Sequence, residues 1–292
     1  MSEHNTSHPR LSVIVATTQP WPELRPCLEA LLPQARATES ELIAADGSGQ
    51  GLPRLLPADY EKIVWIKEAG ASVFRLRALG VAAARGRIIA TTEDHCVVNS
   101  DWCARILRAH ENRPDAAAIA GPVENGSIST LIDWANFLQT FGAFAPPLNS
   151  SQRKRCPTNS NLSYKREVLL QEQLQPGWME LVLNPSLCQE GRVVMDERVT
   201  VTHVQSHGLL GTFKAHFHNG RTTTGLGPLG LSKRQLPLTQ LLSTLGTIRG
   251  KRHLYGRVLA CLPWLGLISC CHAAGELVGL MAGPGKSPER LR

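Results

Sequence analysis

The run LSVIVATT at residues 11–18 decides the fold. Its apolar side chains do not alternate with polar ones, so the strand it forms is covered on both faces, as strands of parallel sheets are. Working outward, residues 21–32 place Leu24, Cys27, Leu28, Leu31 and Leu32 on one helical face. ELIAADGSG at residues 41–49 then reads as a second buried strand that runs into a glycine-rich turn. Strand, helix and strand in this order make a βα unit. The carboxyl ends of its strands carry Thr17 and Thr18 on the first and Asp46 on the second, at the edge where open parallel sheets bind ligands.

The alternation continues. KIVWI at 62–66 is a short strand, residues 72–84 a helix rich in Ala, Leu and Arg, and RIIATTED at 87–94 a strand ending in Glu93 and Asp94, with His95 next. Residues 101–110 read as a helix, and 116–123 as a strand before a proline turn. This order predicts a three-layer α/β sandwich with a mostly parallel sheet. The aromatic stretch 126–151 suits either a helix over the sheet edge or a wall of a binding cleft. Behind the basic patch Arg153 to Arg155, NLSYKREVLL reads as a strand and then a helix, and residues 191–204 as two short strands ending on His203. No G-x-G-x-x-G follows the first strand, where TTQPWPE stands, which excludes a dinucleotide fingerprint.

Charge divides the chain near residue 206. From Gln205 onward there are 11 Lys or Arg and 2 acids, so of the 31 basic and 24 acidic residues in all, 20 and 22 lie before it. The front is slightly acidic, which argues against a nucleic-acid footprint, and the basic tail suits an anionic surface such as a membrane. The chain therefore divides into a domain at residues 1–206 and a hydrophobic, basic helical tail at 207–292. Within the tail, residues 208–256 are rich in Gly and Thr, and 258–275 carry no formal charge, a run that extends to Met281 past one acid, Glu276. A bilayer span needs roughly 20 apolar residues. Pro263, His272 and Glu276 interrupt this one, so a span, a helix lying in the interface and a packed soluble helix all stay open. Arg249, Lys251, Arg252 and Arg257 just before it point to the cytoplasmic face of the membrane. The eight cysteines form no C-x-x-C pair, and the first ten residues lack a secretory h-region, which fits a cytoplasmic setting.

With these residues in hand, residues 11–206 resemble a family 2 glycosyltransferase of the GT-A fold. LSVIVATTQ is similar to the family's first strand, whose end contacts the nucleotide, here at Thr17. ELIAADGSG resembles the second strand, whose Asp-Gly-Ser reads the nucleoside base, a role that falls on Asp46. In FRLRALGVAAARGRIIATTED, Arg77 and Gly80 occupy the family's Arg and Gly places ahead of the metal-binding strand. The usual Asp-any-Asp triplet is replaced by Glu93, Asp94 and His95. TNSNLSYKRE resembles the block on the acceptor side, with Asn161 in its Asn position, and GWME puts Glu180 where the family carries its catalytic base. His203 stands where many members have a histidine near the diphosphate or metal.

What the resemblance implies is a metal-dependent, inverting transfer from a UDP- or GDP-sugar to a hydroxyl of a glycan or lipid-linked acceptor. The cofactor implied is Mn²⁺ or Mg²⁺, held by Glu93, Asp94, His95 and His203. An inverting transfer needs a carboxylate to take the proton of the attacking hydroxyl, and positive charge to offset the leaving diphosphate. A catalytically silent member that binds a nucleotide sugar or a partner enzyme is the rival reading, motivated by the altered triplet. A nucleotidyltransferase would want a Gly-rich, basic loop after the first strand, and ATTQPWPE has neither Gly nor Lys nor Arg. Read without the resemblance, Asp46 suits a turn cap, Arg77 a solvent-facing helix position, Glu180 a surface helix start and His203 a plain strand end. The tail histidines His207, His216 and His218 read as surface residues.

Overall fold

A computed structural model describes residues 8–50, 58–148, 156–170, 177–226 and 236–291. The basic patch Arg153 to Arg155 lies outside the described residues. The first half runs β1 (Leu11–Thr17), α1 (Trp21–Ala37), β2 (Glu41–Asp46), β3 (Val64–Lys67), α2 (Val73–Ala83), β4 (Ile88–Glu93), β5 (Cys96–Val98) and α3 (Trp102–Asn112). There follow β6 (Ala118–Ala120), β7 (Val123–Asn125), α4 (Leu131–Phe141), β8 (Asn161–Lys165), α5 (Arg166–Leu170), α6 (Asn184–Gln189), β9 (Val193–Met195) and β10 (Val201–His203). The tail is helical: α7 (Gly208–Leu226), α8 (Pro237–Ile248) and α9 (Tyr255–Ala282).

Seven strands form the main sheet in the order β3-β2-β1-β4-β8-β6-β9. Its left half is parallel, with Thr17 opposite Asp46 and Ala16 opposite Glu93, so the polar strand ends of the sequence lie side by side. The step β1 to β2 runs one way along the sheet and the step β3 to β4 the other. Right-handed crossovers therefore put α1 and α2 on opposite faces, which makes the three layers. Only β8 runs against its neighbours, pairing antiparallel with both β4 and β6. Every residue of β1 is buried, as its unbroken apolar run requires.

Two features depart from the sequence reading. The single strand expected over 116–123 is two, β6 in the main sheet and β7 in a small sheet ordered β5-β10-β7. Gly121 makes the break: a Cβ there would overlap the carbonyl of Val199, so the chain passes under the β10 approach as bare backbone. The Gly- and Thr-rich stretch, inside the tail expected to be helical, is mostly two helices, α7 and α8. Finally, Lys251 does not face outward with the other basic residues of the tail. It is 1% exposed, and its Nζ donates to the carbonyls of Gly142, Ala143 and Ala145 just beyond α4. The tail is built onto the α/β unit, since Ile248, Leu254, Val258, Cys261, Leu265 and Ile268 belong to the same buried cluster as the sheet.

Candidate active site

Because β8 is antiparallel to β4, the turn that precedes β8 meets the carboxyl end of β4, with Thr92 opposite Asn161. The acids at the end of β4 therefore face the polar run Thr158, Asn159 and Ser160. Ser160 Oγ donates to Glu93 Oε2 at 2.6 Å. From the other side α2 delivers Arg77, which is 5% exposed and donates to Glu93 Oε1 and Glu180 Oε1, each at 2.8 Å. Glu180 lies on a wide helical turn, Met179–Leu183, and its Oε1 also accepts from Asn159 Nδ2 at 2.8 Å. Tyr164 and Asn184 brace Asn159, with the phenol donating at 2.7 Å to Asn159 Oδ1 and Asn184 Nδ2 donating at 3.1 Å to the same oxygen.

The third group comes from β10, which pairs His203 with Cys96 and so sets it beside His95. The two Nε2 atoms are 2.9 Å apart, His95 Nε2 is 3.3 Å from Glu93 Oε2, and His203 Nε2 is 3.8 Å from it. Phe141 of α4 packs on the His203 ring, with centroids 4.4 Å apart. On its far side, His95 Nδ1 meets Asp94 Oδ1 at 2.5 Å, and Asp94 Oδ2 accepts from Thr17 Oγ1 at 2.6 Å. Thr17 thus orients Asp94, Asp94 orients His95, and the Nε2 edge is turned inward.

Burial alone would raise the Glu93 carboxyl, but the hydrogen bond and charge of His95, then Arg77 and His203, hold it well below the usual range. Burial would likewise lower His95, yet Asp94 and Glu93 push it up to about 9. His203 is lowered to about 3, first by burial and then by the charge of His95, with Glu93 opposing. The cluster therefore draws a positive charge to the Nε2 edges of His95 and His203. The donor set fits a divalent cation: Glu93, His95 and His203 each offer one ligand atom, all within 4.8 Å of one another. Two imidazoles with a carboxylate suit Mn²⁺ better than Mg²⁺, which prefers oxygen.

Of the residues the sequence singles out, Arg77, Glu93, Asp94, His95, Glu180 and His203 line one cavity of about 410 Å³. Arg77 is buried rather than solvent-facing. Thr17 lies behind Asp94, with Thr18 on the wall in its place. Asp46 is buried at the end of β2, where its Oδ1 accepts from the Ser48 N–H at 2.7 Å. The structure does not bring Asn161 to the cavity. Its Oδ1 accepts from the Trp102 indole at 2.9 Å, and its Nδ2 donates to the carbonyls of Pro122 and Val199 at 2.9 and 2.7 Å. The tail also contributes: His216 of α7 is buried on the cavity wall, not at the surface, with Nε2 2.8 Å from Asn136 Oδ1.

Sequence reasoning missed Asn159, Ser160, Tyr164 and Asn184. Four polar residues in a row at the start of a buried strand, TNSN, are the signal that was there to use.

No curated protein matches the chain significantly. Among solved structures, the mannosyltransferase PcManGT from Pyrobaculum calidifontis, in complex with GDP-Man and Mn²⁺, is 14% identical with a TM-score of 0.49, over 95% of this chain and 77% of that one. Residues 1–349 of TarS from S. aureus are 12% identical with a TM-score of 0.47, over 94% of this chain and 90% of that one. A longer TarS structure is 12% identical with a TM-score of 0.50, over 92% of this chain and 55% of that one. Similarity at this level of identity concerns the fold, a GT-A-like α/β sandwich. The glycosyl transferase family 2 profile matches residues 12–171, more than half of the sequence, and the chain belongs to that family.

Proposed function

We propose that the protein transfers a sugar from a UDP- or GDP-sugar to an acceptor hydroxyl with inversion, using Glu180 as general base. Family membership and the Glu93, His95 and His203 cluster support a metal-dependent glycosyltransferase. The observation that carries the finer reading is the single guanidinium of Arg77 between Glu93 and Glu180, which sets the cation cluster and a carboxylate at a fixed separation on one cavity. Among the described residues, the two bonds that hold Glu180, from Arg77 and Asn159, fall on Oε1. We assign the acceptor proton to Oε2. A carboxylate fixed through one oxygen keeps its direction while the other oxygen works.

When bound, a divalent cation would supply positive charge against the charge developing on the departing diphosphate. The chain's own groups do the rest. Asp94 and Thr17 hold His95 in place, and Phe141 backs His203. Asp46 at the end of β2, next to the end of β1 where Thr17 stands behind Asp94, marks the side we assign to the nucleoside. Asn161 we read as a brace between β8 and the strand ends near Pro122 and Val199. The acceptor we assign is a glycan or lipid-linked hydroxyl at the cytoplasmic membrane face, since α9 is long and apolar enough to cross a membrane, with a mean hydropathy of 1.6 in its most apolar window.

Glu180→Gln is the test. Assayed with labelled nucleotide sugars in Mn²⁺, turnover is expected to fall roughly 10²-fold or more, while nucleotide affinity by calorimetry stays near that of the unaltered protein. Unchanged turnover would move the base elsewhere.

A further inference from the structure

From Leu259 to Ala282 every exposed residue of α9 is apolar. Leu259, Pro263, Leu267, Cys270, Leu277 and Met281 mark a stripe at helical spacing, and its ends are bare, with Leu259 68% and Met281 79% exposed. At a rise of about 1.5 Å per residue the stripe is about 33 Å long. The outward side of a helix on a water-soluble domain is ordinarily polar, so this face is made for something other than water.

The opposite side of α9 is committed to the protein. Val258, Cys261, Leu265 and Ile268 are buried in the core that includes the sheet. Further along, Gly275 and Gly279 let α7 approach backbone to backbone, and a Cβ on Gly279 would stand 2.6 Å from the Arg221 carbonyl oxygen. Crossing a bilayer would strip these contacts and expose the core, so the length of the helix does not decide its placement.

Exposed cations stand at both ends of the stripe. Arg252 and Arg257 precede it, with Arg257 over the Trp134 ring at 5.3 Å, and Lys286 and Arg290 follow it. A second copy packed along this stripe would bring basic ends against basic ends in either orientation. An apolar interior bordered by anionic headgroups matches both features.

We propose that α9 lies in the plane of an anionic bilayer, its outward stripe sunk into the acyl boundary, and does not span it. This rests on the membrane-side reading of the acceptor above; α7, packed on the inner side of α9, shares the cavity wall.

The test uses the full chain with phosphatidylglycerol vesicles. It is expected to float with them, and Leu267→Glu with Leu277→Glu is expected to lower the floated fraction about tenfold or more, with circular dichroism and donor hydrolysis unchanged. The native Cys270 thiol should lose its reaction with a membrane-impermeant maleimide when vesicles are added. Cysteines introduced by Arg252→Cys and Lys286→Cys should both react from outside. Labelling of one end alone until detergent is added would mean a span, and would overturn the proposal. So would failure to float, or lipid-free protection of Cys270 with a dimer mass in light scattering. Donor hydrolysis that survives any of these results leaves the transferase reading standing, so the two failures are distinguishable.

Discussion

Asp94 touches two residues of the site and offers a sharp test at the scale of single atoms. One carboxylate oxygen holds His95 Nδ1 and the other accepts from Thr17, so the side chain directs a ligand without joining the three converging atoms. Asp94→Asn keeps the size and loses the charge that fixes the tautomer. Substitutions behind metal-ligating histidines typically cost 10- to 100-fold in affinity, and Mn²⁺ titration calorimetry should show a loss of about that size, with the melting temperature little changed. Equal affinity would mean that Asp94 does not govern His95. Most of this constellation was legible in the sequence, because Glu93, Asp94 and His95 are consecutive and end a buried run. The hold on Glu180 was not. Asn159 reaches it only because β8 runs against β4, a pairing that the reading of a mostly parallel sheet did not place.

Helices α4 and α9 are joined through a side chain that composition alone misreads. Lys251 belongs to a run of basic residues, and a run of this kind normally faces anionic surroundings. Here burial pushes it down to about 8, and three carbonyls beyond the end of α4 accept hydrogen bonds from its Nζ. Lys251→Met fills similar space but leaves those carbonyls without their donor. The expected loss is about 1–3 kcal/mol of stability, read by denaturant unfolding, with vesicle binding unchanged. A variant of full stability that floats poorly would instead place Lys251 at the lipid. The same region shows where packing escaped the sequence. Helix α7 contains four glycines and four threonines and has no clean apolar face. It is held by close backbone approach to α9, with Gly220 against His272, a tertiary contact that no local pattern announces. By contrast β1, β2, β4 and α3 were readable because each is saturated with apolar side chains at its own period.

Two buried histidines outside the cation cluster tie distant parts of the molecule together and give its stability a pH dependence. His110 joins α3 to β8 through Ser163 Oγ at 3.0 Å, and His216 joins α7 to α4 through Asn136. Burial first, then the charge of Lys165, lowers His110 to about 4. Burial first, then the charges of His272 and His207, lowers His216 to about 3. In the unfolded chain both return to about 6.5. Between those values the unfolded state binds protons that the folded state refuses, so stability is complete above about pH 6.5 and falls as the pH drops toward 4. Each refused proton contributes about 1.4 kcal/mol per pH unit, so the pair contributes a slope of up to about 2.8 kcal/mol per pH unit. The Glu93 cluster, whose folded values also lie away from the unfolded ones, adds its own pH dependence, which is why the comparison must be made between proteins. Replacing both histidines by glutamine keeps a neutral hydrogen-bonding side chain and removes the titration. Unfolding free energies of the two proteins, measured in EDTA from pH 7.5 to 4.5, should converge as the pH falls, because only the natural chain loses this share of its stability. Parallel curves would show that the folded protein accepts these protons, and that α7 and α3 are not packed around neutral imidazoles.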